Sequence, residues 1–432
     1  MQNSQIDEAI ASHKTYGNLE QQHALFSMLR RDDPVHWTEP AGYRPFWTVS
    51  KHKDVMEIEK QNDKFINAPR TKLLSIEFES KVREAMGGRA MLVRAINQMD
   101  NPDHTKYKKL THAWFQPKQV RILEERITRL ARESIDQMLA RGERCDFYND
   151  VVVWFPLKVI MLILGIPDEH GQHLLDITRA YFGGGDPEMQ RGSDLIEATR
   201  AYMDFFRGVA RERRAHPTDD VATLIATAEV DGSLIGEFEA SSYFVALASA
   251  GHDTTSATLA GGLLALIQNP AEMQKLRTNP DLIPTAVEEM VRWVSPVKHF
   301  FRTATETYTL RGKTIQPGDH LLMAYPSANR DDDAFERPFS FIADRNPNRH
   351  LGFGFGIHAC IGMYLAKIEM VIFFRELLSR VDSIELAGDL AWIETSFLGG
   401  LKRLPITFTA SKTAACLRGE TTQFPGEEPK LG

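Results

Sequence analysis

The sequence predicts a mainly α-helical fold with small β-sheets, and three observations support this. Apolar residues recur at helical spacing along most of the chain, whereas alternating segments are short and confined to residues 299–323 and 383–408. The chain has 432 residues, 43% apolar and 25% charged, enough for a large buried core. No linker rich in Pro, Gly or Ser divides it, so we expect a single domain over residues 1–410 and a polar, disordered tail over 411–432.

The first hundred residues predict few regular elements. A polar lead precedes a helix near residues 19–31 and an aromatic strand around 46–49. In residues 65–98 apolar side chains are interleaved with charges and with Gly87 and Gly88, which indicates irregular structure with one short helix.

The remainder of the chain predicts helices first and strands later. Pro270 closes a helix of about 33 residues, at 1.5 Å per residue roughly 50 Å long, that starts near residue 236. Pro284 opens another helix, and an irregular loop covers 325–331. Earlier helices are predicted at residues 117–141, 151–164 and 168–182, followed by a glycine-rich break at 183–186 and an amphipathic segment to about 214.

Composition excludes several classes of protein. A net charge of −7 argues against a nucleic-acid-binding protein. No run of 18 or more apolar residues occurs and the N-terminal residues lack a hydrophobic signal, so we expect no membrane span. The three widely spaced cysteines favour a reducing compartment, and the expected location is the cytoplasm.

The segment around Cys360, LGFGFGIHACIGMYLAKIEM, holds the strongest chemical signal. Its glycines allow the backbone to fold back towards the sulfur, and apolar spacing after Cys360 predicts a helix of roughly five turns. A thiolate before a helix N-terminus is expected to have a lowered pKa. His358 is the one local base and no zinc spacing is present, which leaves haem iron and a structural buried cysteine about equally favoured.

A second polar cluster interrupts the long helix, in ALASAGHDTTSATLAGG at residues 246–262. Gly251, Asp253 and Thr254 break a run of small and apolar residues, so we expect the helix to open locally there. Beside haem iron such an opening would form a groove for dioxygen. A capping Asp and a Thr bonded back to its own helix is the alternative.

Three further pairs lie at helical spacing. His104 and Lys108 share a face after Pro102, where they could bind haem propionates or form an ordinary solvated surface. Lys106 and Lys109 face the other way and would suit an acidic electron donor, or simply water. Glu289 and Arg292 are three residues apart, which by itself favours a surface ion pair.

These motifs together resemble the cytochrome P450 family. FGFGIHACIG, residues 353–362, resembles its haem-binding signature, AGHDTT its oxygen-activation motif, and Glu289 with Arg292 its ExxR element. The resemblance implies a helix-rich triangular prism with haem b between the long central helix and the cysteine-loop helix. It implies these roles: Cys360 as axial thiolate; Gly251, Asp253 and Thr254 as catalytic; His104, Lys108, Arg302, Phe353, Gly354 and His358 as haem-binding; and Arg345 as third member of the scaffold with Glu289 and Arg292.

The resemblance also implies a function. The soluble bacterial branch that acts on terpenoids and aromatic hydrocarbons is most similar, and it inserts one atom of dioxygen into a C–H bond of a small hydrophobic substrate. Electrons would come from an iron–sulfur ferredoxin and its NAD(P)H-dependent reductase. The protein itself would be a monomer. A larger substrate such as a steroid and a non-catalytic haem sensor are the alternatives. The break at 183–186 resembles the family's lid, and the implied pocket residues are Leu73, Leu74, Ile76, Val297, His299, Phe300, Phe397 and Leu398.

Overall fold

Helices make up most of the protein, as the sequence predicts. The computed structural model describes residues 2–182, 186–190 and 195–411. The helices are α1 (Asn3–Ala11), α2 (His13–Gly17), α3 (Leu19–Asp32), α4 (His52–Glu59), α5 (Ile76–Ala85), α6 (Asp103–His112), α7 (Pro117–Ile122), α8 (Glu124–Ala140), α9 (Trp154–Leu164), α10 (Gly171–Phe182), α11 (Pro187–Gln190), α12 (Leu195–Ala215), α13 (Val221–Ala226), α14 (Glu237–Gln268), α15 (Pro270–Thr278), α16 (Ile283–Val294), α17 (Tyr325–Ala328) and α18 (Met363–Arg380).

The strands form one larger sheet and several small ones. They are β1 (Val35–Thr38), β2 (Phe46–Val49), β3 (Phe65–Ile66), β4 (Arg144–Asp146), β5 (Glu229–Val230), β6 (Ser233–Leu234), β7 (His299–Ala304), β8 (Tyr308–Leu310), β9 (Lys313–Ile315), β10 (His320–Ala324), β11 (Val381–Leu386), β12 (Ala391–Trp392), β13 (Leu401–Arg403) and β14 (Pro405–Ala410). The larger sheet has the order β1-β2-β10-β7-β3, and a second has the order β11-β14-β4.

The long helix α14 lies at the centre of the helical core. It packs against α9, α12 and α16, and most of its 32 residues are buried. Small residues allow this close packing: a Cβ at Gly261 would lie 2.6 Å from Val294 Cγ2, and one at Gly262 would lie 2.7 Å from Met290 Sδ. A helix that is apolar on every face is therefore surrounded by protein rather than lying on the surface.

The strand β7 links the sheet to the functional region. It pairs antiparallel with β10 on one side and with β3 on the other. The backbone N–H of Phe301 also donates to the carbonyl of Thr71, 3.0 Å away, which draws the extended segment 70–74 alongside the strand. This register decides which side chains of β7 face the interior of the protein.

Several predicted boundaries need correction. The polar lead is helical, as α1 and α2, because Ile6, Ile10 and Tyr16 bury against the sheet. The helix predicted over 117–141 is divided at Leu123 into α7 and α8, and the loop predicted over 325–331 begins with the short helix α17. The hairpin of β5 and β6 was not predicted.

Two predicted segments, the C-terminal tail and the glycine-rich break, are only partly covered by the described residues. The tail predicted as disordered lies outside the described residues from 412 onwards, and so do residues 183–185 of the predicted lid. Within the described chain one helical stretch, Phe147–Leu164, is long and apolar enough to cross a membrane, but 72% of it is buried inside the protein. Its apolar character is accounted for by core packing.

A glycine at the end of α9 gives a test of the packing. Gly165 has φ +61°, and a Cβ there would lie 2.2 Å from Asp220 Oδ2 and 2.7 Å from Arg213 Nη2. Gly165→Ala should lower the free energy of unfolding by more than the ~1–2 kcal/mol expected from the left-handed backbone alone, because it also displaces the Arg213–Asp220 ion pair. Urea denaturation measures the loss.

Gly87 is the matched control, with φ +60° and open space where a Cβ would stand. Gly87→Ala isolates the conformational cost. Equal losses for the two variants would contradict the role given to the ion pair.

Candidate active site

The cysteine loop is closed by its own backbone. The N–H of Cys360 donates to the carbonyl of Phe353, 2.9 Å away, and the N–H of Gly354 donates to the carbonyl of Leu351 at 3.0 Å. Gly356 has φ +72°, and a Cβ there would lie 2.4 Å from the carbonyl oxygen of Glu59. Glycine is required at this position because no side chain fits between the loop and the end of α4.

The sulfur of Cys360 lies deep in the protein yet keeps accessible surface, so it faces an internal space beside the loop. The helix that follows, α18, spans five turns as predicted and starts three residues later. Burial raises the pKa of the Cys360 thiol; the Gly362 N–H, Lys108 and Lys367 act in the opposite direction. The predicted lowering of this pKa is therefore wrong for the free thiol, because desolvation outweighs the helix N-terminus. A bound metal would remove the proton outright.

A cluster of nitrogen donors lies beside the loop. The rings of His104 and His358 are 4.1 Å apart, and His104 Nδ1 and His358 Nε2 are buried without a hydrogen-bond partner among the described residues. Lys108 Nζ donates to the carbonyl of Ile357 at 2.5 Å. Burial, and then Arg302, His104 and Lys108, lower the pKa of His358 to about 2. Unsatisfied donors in a positive, buried region fit carboxylates such as the haem propionates.

Arg302 has a partner that the sequence did not suggest. Its Nη2 donates to Glu59 Oε1 at 2.7 Å, and the same oxygen accepts the hydroxyl of Tyr325 at 2.6 Å. The ion pair is almost completely buried, and no described residue forms a hydrogen bond with Glu59 Oε2. Burial raises the pKa of Glu59. Arg302 therefore belongs to a buried triad with Glu59 and Tyr325, and only its remaining N–H groups are available to a propionate.

Glu289 pairs with two arginines in the interior. Its carboxylate forms two hydrogen bonds of 2.7 Å with Arg292 and one of 3.0 Å with Arg345 Nε. The side chains of Glu289 and Arg292 are fully buried, so the surface ion pair that spacing alone favours is not present. The two guanidinium groups bind backbone carbonyls of the loop before the cysteine, those of Asn329, Glu336, Arg337, Pro338 and Ser340.

On α14 the helix is continuous through residues 250–255, so the local opening expected there is not seen. Thr254 Oγ1 donates to the carbonyl of Ala250 at 2.6 Å, the back-bonded arrangement considered as the alternative. A Cβ at Gly251 would lie 2.3 Å from Ile160 Cδ1, so this glycine permits the close approach of α9. The half-buried hydroxyl of Thr254 keeps its lone pairs for a further donor.

Asp253 is a buried acid with an unused oxygen. Oδ2 has no partner among the described residues, and Oδ1 lies 3.5 Å from His252 Nδ1. Burial raises the pKa of Asp253, while His252 and Arg179 act to lower it. Arg179 donates to Asn149 Oδ1 and leaves its Nε unpartnered. Sequence reasoning missed Arg179, which is 74 positions from Asp253 and carries no local motif.

The predicted pocket wall is partly brought together. Val297 and Leu398 form an isolated β-bridge, and the rings of Phe300 and Phe397 are 5.5 Å apart. His299 contributes no free polar group: Nδ1 donates to the carbonyl of Ser396 at 2.8 Å and Nε2 accepts the N–H of Leu73 at 3.0 Å. His299 therefore ties segment 70–74 to the turn at 395–398.

Two of the three pocket residues proposed before α5 are misplaced. Ile76 begins α5 and is 43% exposed. Leu73 packs in the sheet core with Phe46 and Phe301. Leu74 is half-buried, and its carbonyl is 3.5 Å from Arg70 Nη2. Side chains alternate in direction along the extended segment 70–74, and this decides which of them face the core. The sequence could not show which face is which.

The proposed basic docking surface also changes. Lys106 Nζ forms an ion pair with Asp231 Oδ2 at 2.7 Å, in the turn between β5 and β6. Lys109 is exposed, as predicted. The unpredicted hairpin therefore neutralises one of the two lysines.

Fold and site together define a thiolate-ligated haem protein, and comparison with known proteins identifies the family. The family model "Cytochrome P450" matches residues 186–385. The chain is 40% identical over 406 residues to Cytochrome P450-terp of Pseudomonas sp, covering 91% of this chain and 95% of the relative. It is 32% identical to linalool 8-monooxygenase of Pseudomonas putida, covering 89% and 95%. The chain belongs to the cytochrome P450 family.

A solved structure agrees. The crystal structure of CYP108D1 from Novosphingobium aromaticivorans matches with a TM-score of 0.88 at 40% identity, covering 94% of this chain and 99% of that one. The protein is a cytochrome P450 monooxygenase with a haem-thiolate cofactor, which uses dioxygen and a redox partner. The buried donors of His104 and His358 and the accessible sulfur of Cys360 fit that cofactor.

Removal of the charge on Glu289 should leave two buried guanidinium groups uncompensated. Glu289→Gln is expected to lower the free energy of unfolding by about 3–5 kcal/mol and to reduce haem retention, because the loop before Cys360 loses its anchor. Urea denaturation and haem content per chain measure the two effects.

The adjacent Glu288 supplies the control. It pairs with His350 and Lys367 and is 30% exposed. Glu288→Gln should cost less than about 1 kcal/mol. Comparable losses for the two variants would contradict the central role of Glu289.

Proposed function

We propose that this monooxygenase hydroxylates compact hydrophobic molecules, monoterpenoids or aromatic hydrocarbons, and that a small iron–sulfur ferredoxin supplies the electrons. The protein would act as a cytoplasmic monomer. The names of two relatives support the terpenoid class: Cytochrome P450-terp and linalool 8-monooxygenase.

The observation that supports the proposal is the group of apolar side chains that pack together beside β7. Phe300 and Phe397 meet edge to face, and Val297 is fixed to Leu398 by the β-bridge. Phe300 and Arg302 share a face of the strand, since alternate residues of a strand point the same way. Arg302 acts electrostatically on His358 of the cysteine loop, so this face of β7 is turned towards the cofactor region.

When bound, the cofactor allows dioxygen to oxidise an unactivated C–H bond. The thiolate of Cys360 would hold its iron, and His104, His358 and Lys108 would bind its carboxylates. Asp253 would hold a proton on its unpartnered oxygen, since burial raises its pKa, and Thr254 would pass the proton on through its hydroxyl. The rings of Phe300 and Phe397 would orient the substrate and exclude water. Glu289, Arg292 and Arg345 would hold the loop in place without touching the substrate.

A titration of the ferric absorption spectrum tests the substrate class. α-Terpineol, p-cymene and biphenyl are added in turn, with a steroid as the large comparison ligand. At least one of the three small compounds should shift the haem to high spin with micromolar affinity, because it displaces water from beside the iron. A shift with the steroid alone would overturn the small-substrate proposal while the monooxygenase class stands.

Asp253→Asn tests proton delivery. The variant should lose about 10²-fold in product formation and show a larger solvent isotope effect, while the spectral affinity for substrate stays within about twofold. The amide keeps the shape of the side chain and cannot release a proton.

Thr255→Ala, one position further along α14, is the control, because Thr255 is buried against the rest of the protein. Unchanged product formation in Asp253→Asn would sink the proton-delivery role. A loss in Thr255→Ala of the same size would show that any disturbance of α14 has this effect.

A further inference from the structure

One lysine stands among the aromatic rings of the pocket wall. Lys72 Nζ lies 4.2 Å from the centroid of Phe397, 5.5 Å from that of Tyr181 and 5.9 Å from that of Phe182. These rings come from the turn at 395–398 and the end of α10. Three separate segments of the chain therefore converge on one ammonium group.

The direction of this side chain follows from the neighbours of segment 70–74. Leu73 packs into the sheet core, and its N–H is fixed by His299. Thr71 is buried and its carbonyl bonds to β7. Lys72, between these two residues, projects to the opposite side, where Phe397 contacts Phe300.

Within the part of the chain that the structure describes, Lys72 has no anionic partner. No carboxylate of the described residues forms an ion pair with it, and no described acceptor forms a hydrogen bond with its ammonium. Asp186, just after α10, is bound instead to Lys402 at 2.9 Å and to the N–H of Glu394. Aromatic faces compensate only part of the cost of desolvating a cation. Three strong donors are left for a ligand.

We propose that Lys72 is a specificity-determining residue that binds the carboxylate of a compact hydrophobic substrate. The inference rests on the proposed function and deepens it: the substrate is a terpenoid or aromatic acid, with an apolar body against Phe300 and Phe397 and an anionic end at Lys72. A hydrocarbon of the same size leaves the ammonium unpaired and binds more weakly.

The charge state of Lys72 fits this role. Burial lowers its pKa to about 8, so the amine is a cation at neutral pH and loses its charge as the pH rises. Between pH 7 and 9 the groups around it keep their charge, since the pKa of His299 is lowered to about 3, that of Tyr181 is raised to about 12 and that of Arg70 is lowered to about 10. His13, further away, is also held neutral by a lowered pKa.

Spectral titration of the holoenzyme with two matched probes tests the proposal. p-Cymene and 4-isopropylbenzoate share ring and isopropyl group and differ in methyl against carboxylate. The acid should bind the unmodified protein more tightly, and Lys72→Met should reverse the preference by about 10- to 100-fold through loss of affinity for the acid alone. Lys72→Arg should keep most of the preference, which separates loss of charge from a folding defect.

The pH profile gives a second readout. Affinity for 4-isopropylbenzoate should fall as the pH rises from 7 to 9, and it should be flat in Lys72→Met, because the ligand itself stays ionised. Lys60→Met is the control, since Lys60 is exposed and lies 5.5 Å from the single ring of Phe355. It should leave both affinities unchanged.

The outcomes separate this proposal from the one on which it rests. A p-cymene shift together with an acid preference that Lys72→Met does not change would overturn the role of Lys72 and leave the proposed function intact. A Lys72-dependent acid shift without any p-cymene shift would support Lys72 and exclude the hydrocarbon class. Absence of both shifts would overturn both proposals.

Discussion

The carboxylate of Glu289 is the constraint on which the site depends. It neutralises two buried guanidinium groups, and those groups gather the carbonyls of the loop before the cysteine. One of these residues, Asn329, also accepts the N–H of Leu351 at 2.7 Å through Oδ1. Leu351 in turn accepts from Gly354 within the cysteine loop. An unbroken series of hydrogen bonds therefore runs from α16 to the backbone that positions Cys360. The buried carboxylate of Glu289 therefore helps to fix the position of Cys360, 71 residues further along the chain.

The two sides of the proposed cofactor position differ in their electrostatics. The cations Lys108 and Arg302 lie beside the cysteine loop. Burial and then Lys108 lower the pKa of His104, and burial and then Arg302 lower that of His358. On α14 a buried carboxyl has a raised pKa and one oxygen without a partner. The first arrangement suits binding of anions and the second suits retention of a proton. Desolvation is the largest cause on both sides, so burial, which the fold determines, tunes these groups more than their immediate sequence neighbours do.

The sequence pattern predicted those features that depend on residues close together in the chain. The extent of α14, the five turns of α18 and the glycines of the cysteine loop all follow from spacing within a few residues. Contacts between distant segments could not be predicted. The Arg302–Glu59 ion pair, the approach of Arg179 to Asp253 and the rings around Lys72 depend on how helices and loops pack. The exposed Ile76 was wrongly placed for a different reason: the Ser75 cap and the acidic first turn that mark the start of α5 were not weighed. The thiol pKa was wrong because the helix terminus was weighed and burial was not.

The imidazole of His299 joins the two walls of the pocket through one donated and one accepted hydrogen bond. A ring used in this way has a single permitted tautomer, and a second proton would have to displace the N–H of Leu73. Burial is the largest of the causes that lower its pKa, which falls to about 3. The distance between segment 70–74 and the turn at 395–398 is consequently set by the His299 side chain, which stays uncharged in a mildly acidic medium. Acidification of the surroundings would change the charges of ligands and proton donors in the cavity, while the dimensions of the cavity itself stay fixed.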